Sequence, residues 1–164
     1  RLLAVHGVHM GMSDLRLLKQ RDAALAVCPR SNYHLKVGTA PLPRCLAASL
    51  RIGLGTDSLA SNETLSLWDE MRFARRLYGE SVAAQQLVTM ATLGGAAALG
   101  MADTIGSLAP GKRADLTAVA IDRFDDADPY GSLIDQVSDD AVVLNMVDGK
   151  IVYQREGATR WSCH

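Results

Sequence analysis

Two residues of this chain stand directly after short apolar runs and carry side chains able to move a proton. His6 follows Leu2-Leu3-Ala4-Val5, and Asp57 follows Ile52-Gly53-Leu54-Gly55-Thr56. Parallel barrels build their active sites from strand ends, so a polar residue at such a position draws more attention than one in mid-helix. An imidazole titrates near neutrality and can donate a hydrogen bond, and a carboxylate can accept a proton during catalysis. Plainer roles stand beside these. His6 also fits a hydrogen-bonded core histidine, and Asp57 also fits the N-cap of a following helix.

The elements that must position these residues alternate in type. Leu2 to Val8 reads as a strand, and Ser13 is a plausible N-cap for a helix carrying Leu15, Leu17, Leu18 and Leu25. Ala24 to Cys28 is a second apolar run ended by Pro29, and Pro41 and Pro43 precede a helical stretch with Cys45, Leu46 and Leu50. Ile52 to Gly55 supplies a third strand. After it Leu67, Trp68, Met71, Ala74 and Tyr78 recur at the spacing of an amphipathic helix, and a further helix is expected from about Ser81 to Leu99, stopped by Gly100. Strand, loop and helix in repetition predict an α/β fold with a parallel sheet or part of a (β/α) barrel. From Ile105 the texture changes. Ala114 to Ile121 reads as a strand, Asp125, Asp126 and Asp128 as an acidic loop, and Ala141 to Val147, Asp148-Gly149 and Ile151 to Tyr153 as a hairpin. Two regions are expected, residues 1–104 and a β-region over 105–164.

Composition narrows the partners. At 164 residues, 48% hydrophobic and 21% charged, the chain is long enough for an ordinary globular core, and its net charge of −1 offers no single-sign field for nucleic acid or an anionic membrane. No apolar run approaches the ~20 residues needed to span a bilayer. Cys28, Cys45 and Cys163 have neither the number nor the spacing of a disulfide framework or a zinc knuckle, so reduced buried thiols and a cytoplasmic location are expected. The chain opens on arginine and runs at once into an apolar strand, and a preceding segment is expected.

Five linked motifs, spanning nearly the whole chain, resemble one family. They are His6-Gly7-Val8-His9-Met10, Cys28-Pro29-Arg30-Ser31-Asn32, Leu54-Gly55-Thr56-Asp57-Ser58 with Ser61-Asn62, the run Ala91 to Gly100, and Gly106 to Leu116. In order and spacing they are similar to the ends of barrel strands six, seven and eight, the last barrel helix and the return into a small β-sandwich in the amidohydrolase superfamily. The likeness is strongest to its cytosine and adenosine deaminase and triazine chlorohydrolase branch. It implies the C-terminal part of a TIM (β/α)8 barrel and part of a β-sandwich. The activity it implies is deaminase-like hydrolysis of carbon–nitrogen bonds other than peptides by a metal-activated water, on an amino- or halo-substituted heterocycle.

By that resemblance Asp57 binds a divalent metal, zinc before iron, and takes a proton from the attacking water. His6 holds the hydroxide or the developing negative charge from the side. The segment Ser31 to Leu35 is expected as a loop lining the substrate pocket, with Asn32 as a hydrogen-bond partner, and His34 as either a substrate contact or a solvent-facing residue. Ser58 is a third candidate contact, although helix capping also accounts for the small polar residues from Ser58 to Glu63. His9 is expected to be structural or, at most, to support the residues that touch the site. The family's His-x-His pair after its first strand, and the histidine and acidic residue after its fifth, have no counterpart here. Catalytic zinc is normally held by three protein ligands, so the remaining ligands are expected from a missing N-terminal half or a second copy. Other readings are a chlorohydrolase, a ring-opening amidohydrolase, or a non-catalytic remnant or interaction module.

Overall fold

In the computed structural model residues 2–157 are described, and they form two small sheets with helices packed on the first. Cys163 lies outside the described residues. The first sheet is parallel, in the order β1 (Leu3–Val5), β2 (Ala24–Val27), β3 (Arg51–Leu54), with Leu3 opposite Ala24 and Val27 opposite Leu54. Parallel neighbours require a crossover. Here the first runs through α1 (Met12–Gln20) and the second through α2 (Pro29–His34) and α3 (Leu42–Ala47). β2 is the middle strand, and its near-continuous apolar sequence matches burial on both faces.

α4 (Leu67–Tyr78) follows β3 and turns Met71 and Ala74 inward. Its first turn carries Asp69 and Glu70 and its last Arg75 and Arg76, which complements the helix dipole. The core joins Leu15, Leu25, Val27, Leu42, Cys45, Ile52, Met71, Leu87 and Ile134 into one cluster, each large side chain contributing about 1.5–3 kcal/mol on burial.

Several boundaries depart from the sequence expectation for visible reasons. β1 stops at Val5, three residues short, because His6 and Gly7 both turn into positive φ, 68° and 66°. The N-cap of α1 is Gly11 rather than Ser13, and the Asp14 carboxylate accepts the Gly11 N–H at 2.8 Å. Residues 31–34 are helical, not loop, because Pro29 fixes φ at the first helical position. The single helix expected from Ser81 to Leu99 is two, α5 (Ala84–Ala91) and α6 (Leu93–Leu99), broken at Thr92, whose hydroxyl donates back to the Val88 carbonyl at 2.7 Å. The break lays Gly94 and Gly95 against β3 so closely that a Cβ on Gly94 would sit 2.5 Å from the Ile52 carbonyl oxygen. Gly100 ends α6 in the left-handed conformation, as expected.

The second sheet is antiparallel, β4 (Leu116–Val119), β5 (Val142–Val147) and β6 (Lys150–Gln154). Asp148 and Gly149 form the expected tight turn, with φ values of 53° and 75°. The acidic stretch is not simply a loop. Asp128 caps α7 (Pro129–Gln136) by accepting the Gly131 N–H at 2.9 Å, and Ile134 of that helix is fully buried. Arg75 of α4 pairs with Asp128 at 2.9 Å and Asp135 at 2.7 Å, and Arg72 donates to the carbonyls of Ile134 and Val137.

Candidate active site

The three strands of the parallel sheet end on the same side, and the turns after them bring His6, Ser31, Asn32 and Asp57 together. The His6 N–H donates to the Ala26 carbonyl at 2.8 Å, which extends the β1–β2 ladder one residue into the turn. Its ring then lies between two oxygens. Nδ1 is 2.9 Å from Asn32 Oδ1, and Nε2 is 3.8 Å from Asp57 Oδ2. An amide oxygen only accepts, so the Asn32 contact places a proton on Nδ1.

Asp57 sits at φ 61°, a left-handed conformation that costs energy for any residue with a Cβ and persists only where its surroundings fix it. Its Oδ2 accepts from the hydroxyls of Ser61 and Ser31, both at 2.8 Å, and those two hydroxyls lie 3.0 Å apart. Both serines are buried. The Ser61 and Ser31 hydrogen bonds, aided by the Ser58 backbone and the His6 ring, hold the Asp57 carboxyl below its ordinary value against the opposing effect of desolvation. The carboxylate is therefore ionised at neutral pH. About a third of its side chain, and a similar share of His6, faces solvent, at 32% and 37%. The pair can thus reach a small molecule.

Behind this surface lies a fully buried carboxylate, Glu70, in the first turn of α4. Its Oε1 accepts from Asn62 Nδ2 at 2.6 Å and its Oε2 from the Arg30 backbone N–H at 3.2 Å. Burial raises its pKa above the ordinary value against the effect of these two bonds and the Arg30 charge. The Cys28 thiol, also buried, is pushed up to about 12 by desolvation and by the charges of Asp57 and Glu70, so it is neither a nucleophile nor a ready metal ligand at neutral pH.

Not every sequence candidate joins the cluster. His34 is exposed at the end of α2, and no hydrogen bond or ion pair links it to His6, Asn32 or Asp57. Ser58 is exposed too, and its hydroxyl accepts the Ala60 N–H at 3.3 Å, the local turn role that capping predicts. His9 is exposed. Sequence reasoning missed the parts of Ser31, Ser61 and Glu70. A signal existed for Glu70, which falls on the same helical stripe as Leu67, Met71 and Ala74, where a charge is out of place.

The donor set does not make a metal site by itself. Among the described residues no three His, Cys, Asp or Glu side chains are grouped to hold an ion, whereas catalytic zinc takes three protein ligands.

Residues 1–152 match the model of the amidohydrolase family, and the chain belongs to that family. It is 43% identical over 121 residues to a 5-methylthioadenosine/S-adenosylhomocysteine deaminase of Desulforudis audaxviator, covering 70% of this chain and 28% of that protein. It is 38% identical over 122 residues to an s-triazine hydrolase of Gordonia rubripertincta, covering 71% of this chain and 26% of that protein. Among solved structures, a zinc-bound adenosine deaminase from Xanthomonas campestris superposes with a TM-score of 0.85 at 32% identity, over 92% of this chain and 36% of that one. The chain spans between 26% and 38% of the length of the curated relatives it matches.

Proposed function

We propose that the chain is the C-terminal part of a deaminase-type hydrolase that acts on a carbon–nitrogen bond of an amino-substituted heterocycle. In this reading β1, β2 and β3 are strands six, seven and eight of a (β/α)8 barrel, residues 1–104 are its barrel portion, and residues 105–164 belong to a composite β-sandwich. The observation that carries it is the clustering of an ionised Asp57 with His6 at the solvent-facing ends of parallel strands, where barrel enzymes hold their chemistry.

Water adds to the ring carbon that bears the amino group. Asp57 accepts the proton lost by that water and delivers it to the departing nitrogen, which leaves as ammonia. His6, its orientation fixed through Asn32 at Nδ1, turns Nε2 toward the oxygen and, with a proton on that nitrogen too, donates to it as negative charge develops. His34 and Ser58, both exposed, are the further candidate substrate contacts in this reading. A divalent metal, zinc before iron, belongs to this reading with Asp57 as one ligand. The described residues do not complete its shell, so the other ligands come from an N-terminal half or a second copy.

No helix among the described residues is long and apolar enough to cross a membrane. The free, buried thiols of Cys28 and Cys45 favour a reducing compartment, and we place the protein in the cytoplasm.

A second reading, hydrolysis of a ring carbon–halogen bond, rests on the likeness to an atrazine chlorohydrolase from Arthrobacter aurescens, at 27% identity and a TM-score of 0.82, and the deaminase relatives weigh against it. The full polypeptide that carries this chain, loaded with Zn²⁺, separates the two. Incubated with 5′-methylthioadenosine, S-adenosylhomocysteine and chloro-s-triazines, it is expected to release ammonia from an aminated ring. Chloride release alone would favour the second reading, and the absence of both products across the panel would overturn the hydrolase reading.

A further inference from the structure

Each of the two serines that hold Asp57 has a chain neighbour tied to the same buried carboxylate. Ser31 donates to Asp57 Oδ2 at 2.8 Å, and the N–H of the adjoining Arg30 donates to Glu70 Oε2 at 3.2 Å. Ser61 donates to the same Asp57 oxygen at 2.8 Å, and the amide of the adjoining Asn62 donates to Glu70 Oε1 at 2.6 Å. That amide also donates to the carbonyl of Thr56, the residue before Asp57, at 2.7 Å. One side chain on α4 thereby spans both arms of the cradle, the turn after β2 and the turn after β3.

The chemistry of Glu70 fits this task and little else. It has no accessible surface, so it meets no substrate. Its partners are both donors, and only a carboxylate offers two acceptor oxygens in that space. The Arg30 guanidinium is engaged elsewhere, donating to Thr64 Oγ1 at 2.8 Å and Glu63 Oε2 at 3.3 Å. Burying a carboxylate is costly, and an apolar side chain of similar size would serve the helix packing at least as well.

We infer that Glu70 is a positioning residue for the reaction, holding Ser31 and Ser61 at the spacing that fixes the Asp57 carboxylate in its left-handed turn. The inference rests on the reading of Asp57 as the proton-transferring group. Replacement Glu70→Gln keeps the shape but turns an amide donor toward one of two donors. It therefore releases one arm of the cradle. Glu70→Ala releases both.

The test uses the full zinc-loaded polypeptide, with turnover normalised to folded protein. E70Q is expected to lower kcat by about tenfold and E70A by about a hundredfold while KM moves less than threefold, and Glu70→Asp is expected to recover part of the loss. In a D57N background neither substitution lowers the residual rate further, since both act through Asp57. Hydrogen exchange gives a readout independent of turnover: in E70Q the amides of residues 30–32 and 56–62 exchange faster together. A lowered melting temperature with unchanged kcat per folded site would make Glu70 purely structural and overturn the inference, as would equal losses in the wild-type and D57N backgrounds. If D57N itself retains wild-type kcat, the reading of Asp57 fails and the inference falls with it. If D57N is impaired and E70Q is not, the inference alone fails.

Discussion

Asp57 owes its orientation to neighbours that never need to touch a substrate. Two buried hydroxyls converge on one of its oxygens, and a hydrogen bond to a charged group is among the stronger ones a protein makes, about 1.5–3 kcal/mol. Asp57 is partly exposed, so solvent screening reduces that figure and the lower end applies. Ser61→Ala and Ser31→Ala are each expected to lower kcat by about tenfold, the factor that corresponds to ~1.4 kcal/mol, with KM little changed in steady-state assays. A change below twofold in both would mean that the turn holds the carboxylate without them. His6 and Asp57 stand out in the sequence because each directly follows an apolar run, whereas Asn32 draws notice only through the family resemblance of the motif around it. Ser31 and Ser61 do not stand out, because a serine near a helix start is ordinarily a cap and only the fold shows which oxygen it faces.

At the scale of elements, packing set what periodicity could not. The alternation of apolar runs with amphipathic stretches correctly indicated the three parallel strands, α4 and the β5–β6 hairpin, since each has one clear period or turn signal. The break at Thr92 was hidden, because no proline marks it and the segments before and after it, Ala84–Ala91 and Leu93–Leu99, both read as helix. What fixes the break is the approach of Gly94 to the Ile52 carbonyl. Gly94→Ala therefore drives a methyl group into backbone and is expected to destabilise the fold by about 1–3 kcal/mol, the usual cost of overpacking, as read from urea denaturation. A variant as stable as wild type would show that α6 can move off β3. α7 was legible in principle. Asp128-Pro129 is an N-cap followed by proline at the first helical position, but the surrounding aspartates drew the reading toward a loop.

Across the whole molecule, the parallel sheet leaves apolar strand surface uncovered. β1 has a single neighbouring strand among the described residues, and Leu3 and Val5 are 37% and 48% exposed. A strand edge of that kind invites pairing with another chain. Residues 1–164 expressed alone are expected to associate or aggregate, measured by light scattering; a monomeric mass with a cooperative melt would show that the sheet is sufficient as it stands. Asp57 is present with its supporting hydroxyls, and no trio of His, Cys, Asp or Glu is grouped among the described residues to hold an ion.

Asp57→Asn removes the group proposed to carry the proton in hydrolysis of a carbon–nitrogen bond while keeping its shape. In the full zinc-loaded polypeptide, steady-state ammonia release from an aminated heterocycle is expected to fall by about 10²- to 10⁴-fold in kcat, the range for losing a general acid–base, with the fold intact by circular dichroism. Ammonia release by the folded variant within threefold of wild type would show that another group moves the proton.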